Sequence, residues 1–375
     1  MSAPVIWWVT TGEAGFRSQA LGLVNALGLG GEEKVIGLKA PWSLAPPGLW
    51  PLTLKGLDPA KDRLSPPWPD LIISCSRRAA KAAIAVRRAS GGRTLAVHIQ
   101  NPLAPLDEFD LVIAMRHDGI DGPNVMQIDT ALHDVTAEKL AAAGEAWRAR
   151  LANLPRPLTG VLLGGSTQRH PFTPQKAQDL IAGLRRLIGP HGGLVVTPSR
   201  RTPGAVKALF HEAFGADPRV LIWDEQGDNP YLGILALSDR LAVTGDSVSM
   251  VSEAAASGRP TTVFDIGGGA RHAKFLANLV ERAVVGLLEP SASELNRFLH
   301  SAHPRESGDP GLSSLANPGQ DWVPAFAGMS GGGGSSASTP KALDGSPLVQ
   351  NPKTPVNATP TAAEAVRKLL EAKVG

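Results

Sequence analysis

The sequence predicts an α/β protein made of two doubly wound parallel-sheet domains that face each other across a cleft. Three observations carry this. A chain of 375 residues is long enough for two domains of ordinary size, each with its own core. Short, uniformly apolar runs alternate with turn residues and helix-period segments, the pattern of strands covered on both faces. The series then starts again after Leu154-Pro155-Arg156-Pro157. Residues 1–154 are therefore expected to form one Rossmann-like domain and residues 155–302 a second. A single larger sheet is the alternative.

In the first half, Pro4–Thr10 (PVIWWVT) reads as a buried strand, followed by Gly12–Gly15 and a helix with Ala20, Leu21, Val24 and Leu27 on its apolar positions. Leu71–Ser74 repeats the scheme before an Ala-rich helix over Arg77–Arg88, and Leu95–Ile99, Leu111–Met115 and Val125–Ile128 are further strand runs. In the second half, Val161–Leu163 leads to Gly164-Gly165-Ser166 and a helix over Gln175–Ile188. Leu194–Thr197 leads to Ser199-Arg200-Arg201 and a helix over Ala205–Phe214. Val220–Trp223, Tyr231–Leu237 and Leu241–Thr244 follow, then a helix at Val248–Ser257 and a strand at Thr261–Asp265. From His303 to Pro360 the rhythm breaks. Nine Gly and nine Pro give a segment too poor in core formers to offset its ordering entropy. It is expected to be a disordered insertion, with Trp322 and Phe326 incidental, and it resembles a translated bacterial palindromic repeat. Residues 361–375 regain helical periodicity through Ala365, Leu369 and Leu370 and read as a closing helix.

Composition narrows the function classes. With 43% hydrophobic and 19% charged residues the chain is globular. A net charge of +3 excludes an electrostatic nucleic-acid binder. The single cysteine, Cys75, excludes a disulfide framework and a multi-cysteine metal site, and no metal is expected. It ends an apolar strand and is expected to pack rather than react. No apolar run reaches the ~18–20 residues of a membrane span, and the N-terminus lacks a basic n-region. The expected location is cytoplasmic, with the inner membrane face as a peripheral alternative.

The most informative stretch is LAVTGDSVSMVSEAAASGRPTTVF, Leu241–Phe264. A strand ends at Gly245-Asp246-Ser247, and a helix starts there with Ser249 and Glu253 in its first turns. Unpaired N–H groups and the helix dipole favour phosphate at such a terminus, and a Glu one turn in can accept from both ribose hydroxyls. Simple capping by Asp246 or Ser247, with Glu253 solvated, is the competing account. Ser199, Arg200 and Arg201 follow the second strand of this half, where ligands of open α/β sheets bind. They either clamp a diphosphate or form a solvated turn. In the first half, Thr11-Gly12-Glu13-Ala14-Gly15 is not the G-x-G-x-x-G fingerprint. Gly12 and Gly15 suit a loop near a ligand, or a turn. Candidate proton acceptors are Glu13, His98 at a strand end, and His117-Asp118. Between Asp70 and Asp107 there are six basic residues and no acidic one. Arg77 and Arg78 open a helix after a strand, where they could meet an anionic acceptor, whereas Arg87 and Arg88 suit a solvated face. Pro41–Pro69 holds Trp42, Trp50 and Trp68, read as packed tryptophans or as an acceptor or membrane-surface loop.

The pattern strand–Ser–x–x–x–Glu–Ala–Ala–x–x–Gly–x–Pro resembles the donor-nucleotide motif of GT-B glycosyltransferases, especially the peptidoglycan N-acetylglucosaminyl transferase. The resemblance implies that Ser249 and Glu253 hold diphosphate and ribose, with Gly258 and Pro260 structural. Gly164, Gly165 and Ser166 are similar to the loop that faces the nucleotide, and Gly267–Lys274, with Arg271 and Lys274, to the loop at the donor sugar. Where that family places a His soon after the first loop, this chain has Phe16. Across roughly residues 4–300, the segments TTGEAGFRSQALGL, PDLIISCSRRAA, HIQNPL, FDLVIAMRHDG, GVLLGGSTQRH, TPSRRT and DNPYLGILALSDRLAVTGDSVSMVSEAAASGRP together resemble the family of the plant "elongated mitochondria" fission factor. Its plant members recruit a dynamin-related protein, and bacterial members have been labelled nucleoside-diphosphate-sugar epimerases. Two functions are implied. One is a GT-B glycosyltransferase, or an epimerase, that uses a nucleoside diphosphate sugar and no tightly bound cofactor. Its acceptor would be lipid-linked or part of the cell envelope. The other is a non-catalytic adaptor with a protein partner.

Overall fold

A computed structural model describes residues 3–44, 50, 53–166, 171–267, 269–288 and 356–374. The Gly- and Pro-rich insertion, up to Pro355 and with Trp322 and Phe326, lies outside the described residues. Two six-stranded, all-parallel sheets carry the fold. The first contains β1 (Ile6–Thr10), β2 (Glu32–Val35), β3 (Leu71–Cys75), β4 (Leu95–Ile99), β5 (Leu111–Met115) and β6 (Val125–Ile128), in the order β2-β1-β3-β4-β5-β6. The second contains β7 (Leu158–Leu163), β8 (Gly193–Pro198), β9 (Val220–Ile222), β10 (Arg240–Thr244), β11 (Thr261–Phe264) and β12 (Gly286–Leu287), in the order β12-β11-β10-β7-β8-β9.

Sequence periodicity explains why these segments are strands. Every residue of β1, β3, β7 and β8 is buried, as expected for strands with helices on both faces. The short strand β2 departs from that pattern. Its sequence EEKV carries no apolar run, because it lies at the sheet edge, where charged residues also block further pairing. Helix α1 (Ala14–Leu27) stops at Gly28, whose φ of 72° is left-handed and suits glycine. Helix α2 (Arg77–Ala89) begins where the Ser76 hydroxyl accepts from the Ala79 amide at 3.2 Å, and Ala79–Val86 are all buried. Trp50 is buried against this layer, and Trp68 meets Trp7 edge to face with ring centres 6.3 Å apart. The tryptophans of the irregular segment are thus packed ones. Cys75 is fully buried, and burial pushes its thiol pKa up.

Helix α3 (Ala137–Leu151) precedes Leu154–Pro157 and packs on α6 (Tyr231–Leu237). The remaining helices of the second half are α4 (Pro174–Ile188), α5 (Gly204–Phe214), α7 (Val248–Ala256) and α8 (Ala270–Glu281). The last helix, α9 (Thr359–Val374), starts two residues before the expected boundary and packs on α1. It buries Ala362, Ala363 and Val366. One apolar cluster runs from Leu23 and Ile73 in the first half to Val243, Val251 and Phe275 in the second. At roughly 25 cal/mol per Å² of apolar surface, this shared core holds the halves together far more strongly than surface ion pairs would.

Candidate active site

Each sheet reverses its winding once, and the loops that leave the carboxyl ends of the strands there part to form a crevice. In the first sheet the reversal lies between β1 and β3, in the second between β7 and β10. Loops from both walls meet in one cavity of about 580 Å³. Its first wall holds Thr11, Glu13, Phe16, Ser76, Arg77, Arg78, Gln100 and His117, and its second holds Val248, Gly269, Arg271 and His272.

The first wall is shaped by backbone that most residues avoid. Gly12 has φ +94°, Ser76 φ 112° and Gln100 φ 82°. Non-glycine residues in that region carry strain of order 1–3 kcal/mol, which the surrounding packing has to hold. Thr11 donates to Glu13, and its hydroxyl stands 3.2 Å from that of Ser76, so the loops after β1 and β3 are tied together. The basic stretch divides clearly. Arg87 and Arg88 pair with Asp110 and Glu108, Lys81 donates to the Trp50 carbonyl, and Arg78 donates to the Ser43 carbonyl at 3.1 Å. Arg77 is exposed at the start of α2. Gly15, expected in a loop, lies in the first turn of α1, beside Ser249.

In the second half, Gly164, Gly165, Ser166 and Ser199 gather at the ends of β7 and β8. Asp246 holds them from the β10 turn. Its side chain is fully buried, accepts from the Gly165 amide at 2.9 Å and from Thr244 at 2.8 Å, and stands 4.0 Å from Arg201. Thr202 donates to the carbonyls of Leu163 and Gly164, and Ser166 accepts from the Phe172 amide at 2.9 Å. Ser247 caps α7 by accepting from the Met250 amide at 3.4 Å. Arg200 is exposed. These residues do not line the large cavity; the Gly245 carbonyl, bonded to His272, links the two regions. Glu253 is not solvated. Its carboxylate accepts from Tyr231 of α6 and from Ser18 of α1, and burial raises its pKa.

Two of the candidate histidines have a depressed pKa, for the same reason and in different settings. His98 is fully buried in β4, with Nδ1 2.8 Å from the Ser74 hydroxyl and its ring against Phe109. Burial lowers its pKa to about 3. It lies inside the sheet and does not reach the cavity. His117 does line the cavity, with its ring edge-on to Phe275 at 5.3 Å. Burial, then Arg271 and His272, lower its pKa to about 3. Asp118 beside it forms an ion pair with Arg271 from the other half. Arg271 and Lys274, expected on a loop, stand on the first turns of α8. Sequence reasoning did not single out Ser76, Gln100, Asn101 or His272. Of these only Ser76 carried a signal, as a cap residue before a helix. Among the described residues, no three His, Cys, Asp or Glu side chains converge on a metal position, and no helix is long and apolar enough to cross a membrane.

The family model described as Mitochondrial fission ELM1 matches residues 14–303. The mitochondrial fission protein ELM1 of Arabidopsis thaliana is 32% identical over 245 residues, 58% of this chain and 56% of that protein. The chain thus spans about half the length of that relative. A Rickettsia prowazekii (strain Madrid E) protein, RP120, is 27% identical over 338 residues, 78% of this chain and 93% of its own. Among solved structures, UDP-GlcNAc 2-epimerase from Methanocaldococcus jannaschii superposes with a TM-score of 0.52 at 11% identity. That match covers 98% of this chain and 100% of the other. The fold is therefore GT-B-like, with two doubly wound sheets facing across a cleft.

Proposed function

We propose that this chain, which belongs to the mitochondrial fission ELM1 family, binds a nucleoside diphosphate sugar between its two sheets and transfers the sugar to an acceptor. The observation that carries this reading is the cavity in which loops of both halves meet and which holds Arg77, Arg78 and Arg271. In this reading residues 155–302 are the nucleotide domain and residues 1–154 the acceptor domain. The α7 N-terminus with Ser247 and Ser249, the Gly164–Ser166 loop, and Ser199 with Arg200 receive the diphosphate. Asp246 positions that loop. Glu253 has acceptor capacity left beyond Tyr231 and Ser18 for a ribose hydroxyl, since a carboxylate offers about four lone-pair sites. Arg271 and Lys274 face the sugar, with Arg271 also next to the diphosphate oxygen that the sugar leaves. Arg77 and Arg78 take an anionic acceptor such as a lipid-linked one, and the proton acceptor is Glu13 or His117.

The test is thermal unfolding with nucleoside diphosphates. A ligand that binds only the folded state adds about 2.7 kcal/mol at a hundredfold excess over Kd, so UDP or another nucleoside diphosphate is expected to raise Tm. If none of them raises it, the reading is wrong. One observation favours a second reading, ligand binding without turnover, with the chain serving as an adaptor. Phe16, which cannot accept a proton, lines the cavity wall. Incubation with UDP-sugars and a membrane-lipid extract as the acceptor source separates the two, because transfer releases free nucleotide and an adaptor releases none.

A further inference from the structure

We propose that Arg271 is a donor-operated latch on Asp118, and that its release pairs Asp118 with His117 and makes His117 the base of the reaction. This rests on reading the cavity as a sugar-nucleotide site. Three groups from two elements carry the inference. Asp118 has a side chain 1% exposed, and its Oδ1 is held by Arg271 across the cleft. Its Oδ2 is buried with no partner. His117 Nε2 stands 3.9 Å from the same Oδ1, too far for a hydrogen bond.

Arg271 is the exposed member of this set. Its side chain is 51% exposed at the start of α8, and a guanidinium binds a phosphate in two-pronged fashion more readily than it binds one carboxylate oxygen. A donor diphosphate that draws Arg271 away leaves Asp118 as a buried carboxylate without its bonded cation and with only Arg77 acting on it from α2, which is costly. Besides the Met115 backbone, which already bonds to Asp118, His117 is the donor beside it, and closing the gap takes about 1 Å. A His117 ring that donates Nε2–H to Asp118 keeps its lone pair on Nδ1. The charged groups around it are few. Asp118 and Arg116 share its turn, with Arg116 committed to Asp129; Arg271 and His272 face it from α8; Arg77 acts on Asp118 from α2.

In the reaction, the acceptor oxygen forms a bond to the anomeric carbon of the sugar, and the bond from that carbon to the diphosphate oxygen breaks. The electron pair leaves on the diphosphate, which Arg271 now neutralises, and the acceptor proton passes to Nδ1 of His117. The arrangement withholds the base until a donor is bound, which suppresses loss of sugar to water in its absence.

The experiment follows the His117 imidazole by NMR during pH titration of the full chain, with His117→Gln to assign the signal. In Arg271→Gln without ligand, the His117 midpoint is expected to rise by about 1–3 units. Asp118→Asn added to that variant is expected to remove most of the rise. An Arg271→Gln protein whose His117 midpoint does not move overturns the latch, whether or not the second variant folds. In wild type, saturating UDP is expected to produce the same upward shift. A rise in Tm with UDP and no shift of His117 overturns the latch and leaves the nucleotide reading standing. No rise in Tm overturns the nucleotide reading, and the donor trigger with it.

Discussion

At the crevice of the second sheet, protein groups satisfy one another. Asp246, Thr244 and Thr202 hold the Gly164–Gly165 backbone, and a Cβ on either glycine would overlap the Asp246 carboxylate or the Arg201 backbone. At the crevice of the first sheet, the loops touch through Thr11, Glu13 and Ser76, and charged side chains point outward from strained backbone. One crevice is a rigid frame whose backbone and side chains are bonded to one another. The other is a wall of side chains that can change partners. The difference suits a site in which one substrate is held in a fixed place and the other arrives at groups that can still move.

Mutations that test this contrast are expected to have effects of very different size. The largest belongs to Gly165→Ala. The added methyl collides with backbone, which cannot swing aside, and about 3 kcal/mol of stability is expected to be lost in urea unfolding. Its counterpart, Gly15→Ala, meets only Ser249 Oγ, at 3.8 Å, and lies in a helix. It is expected to leave stability unchanged or raise it by up to about 1 kcal/mol. Equal losses at the two glycines would erase the contrast. Asp246→Ala comes next. It unpairs the Gly165 amide and Thr244, and is expected to cost about 2–3 kcal/mol, measured in the same way.

A smaller effect depends on pH. The folded pKa of His98, about 3, lies below the ordinary value of 6.5. Its contribution to stability is therefore complete above the unfolded pKa and is lost as pH falls toward the folded one. One such histidine makes stability fall by up to about 1.4 kcal/mol per pH unit in that window. His98→Leu is expected to flatten the acid limb by about that slope, and Ser74 keeps the Val97 carbonyl as a partner. An unchanged slope would show that His98 is not held neutral by burial. Smallest of all, Arg77→Ala is expected to change stability by less than about 0.5 kcal/mol.

The strands were legible because a fully covered parallel strand must be apolar along its whole length, as IWWVT and LIISC are. The edge strand Glu32–Val35 was not, since an edge has no second face to cover and its charges look like loop. The Gly267–Lys274 segment read as loop to its end because its glycines precede Ala270, yet the helix begins there. His98 and His117 both follow apolar runs. Only the sheet packing separates the one that faces Phe109 inside the core from the one at the cavity wall. The Asp118–Arg271 pair joins residues 153 apart, and no local pattern announces a contact at that distance. The sequence leaves Glu253 open between a ribose contact and solvent and does not announce its bonds, because its partners Tyr231 and Ser18 come from two other helices.

Helix α9 lies on the first half although the chain reaches it from the second. Thr359 bonds to His133, Arg367 to the Ala26 carbonyl and Lys373 to the carbonyls of Asp70 and Arg93. The helix is thus held to the first half both by these bonds and by the chain that leads to it. Cutting that connection has a consequence. A covalent tether keeps α9 at its groove whatever the bulk protein concentration. Once severed, the helix is a separate ligand, and its hold on α1 becomes a matter of dilution.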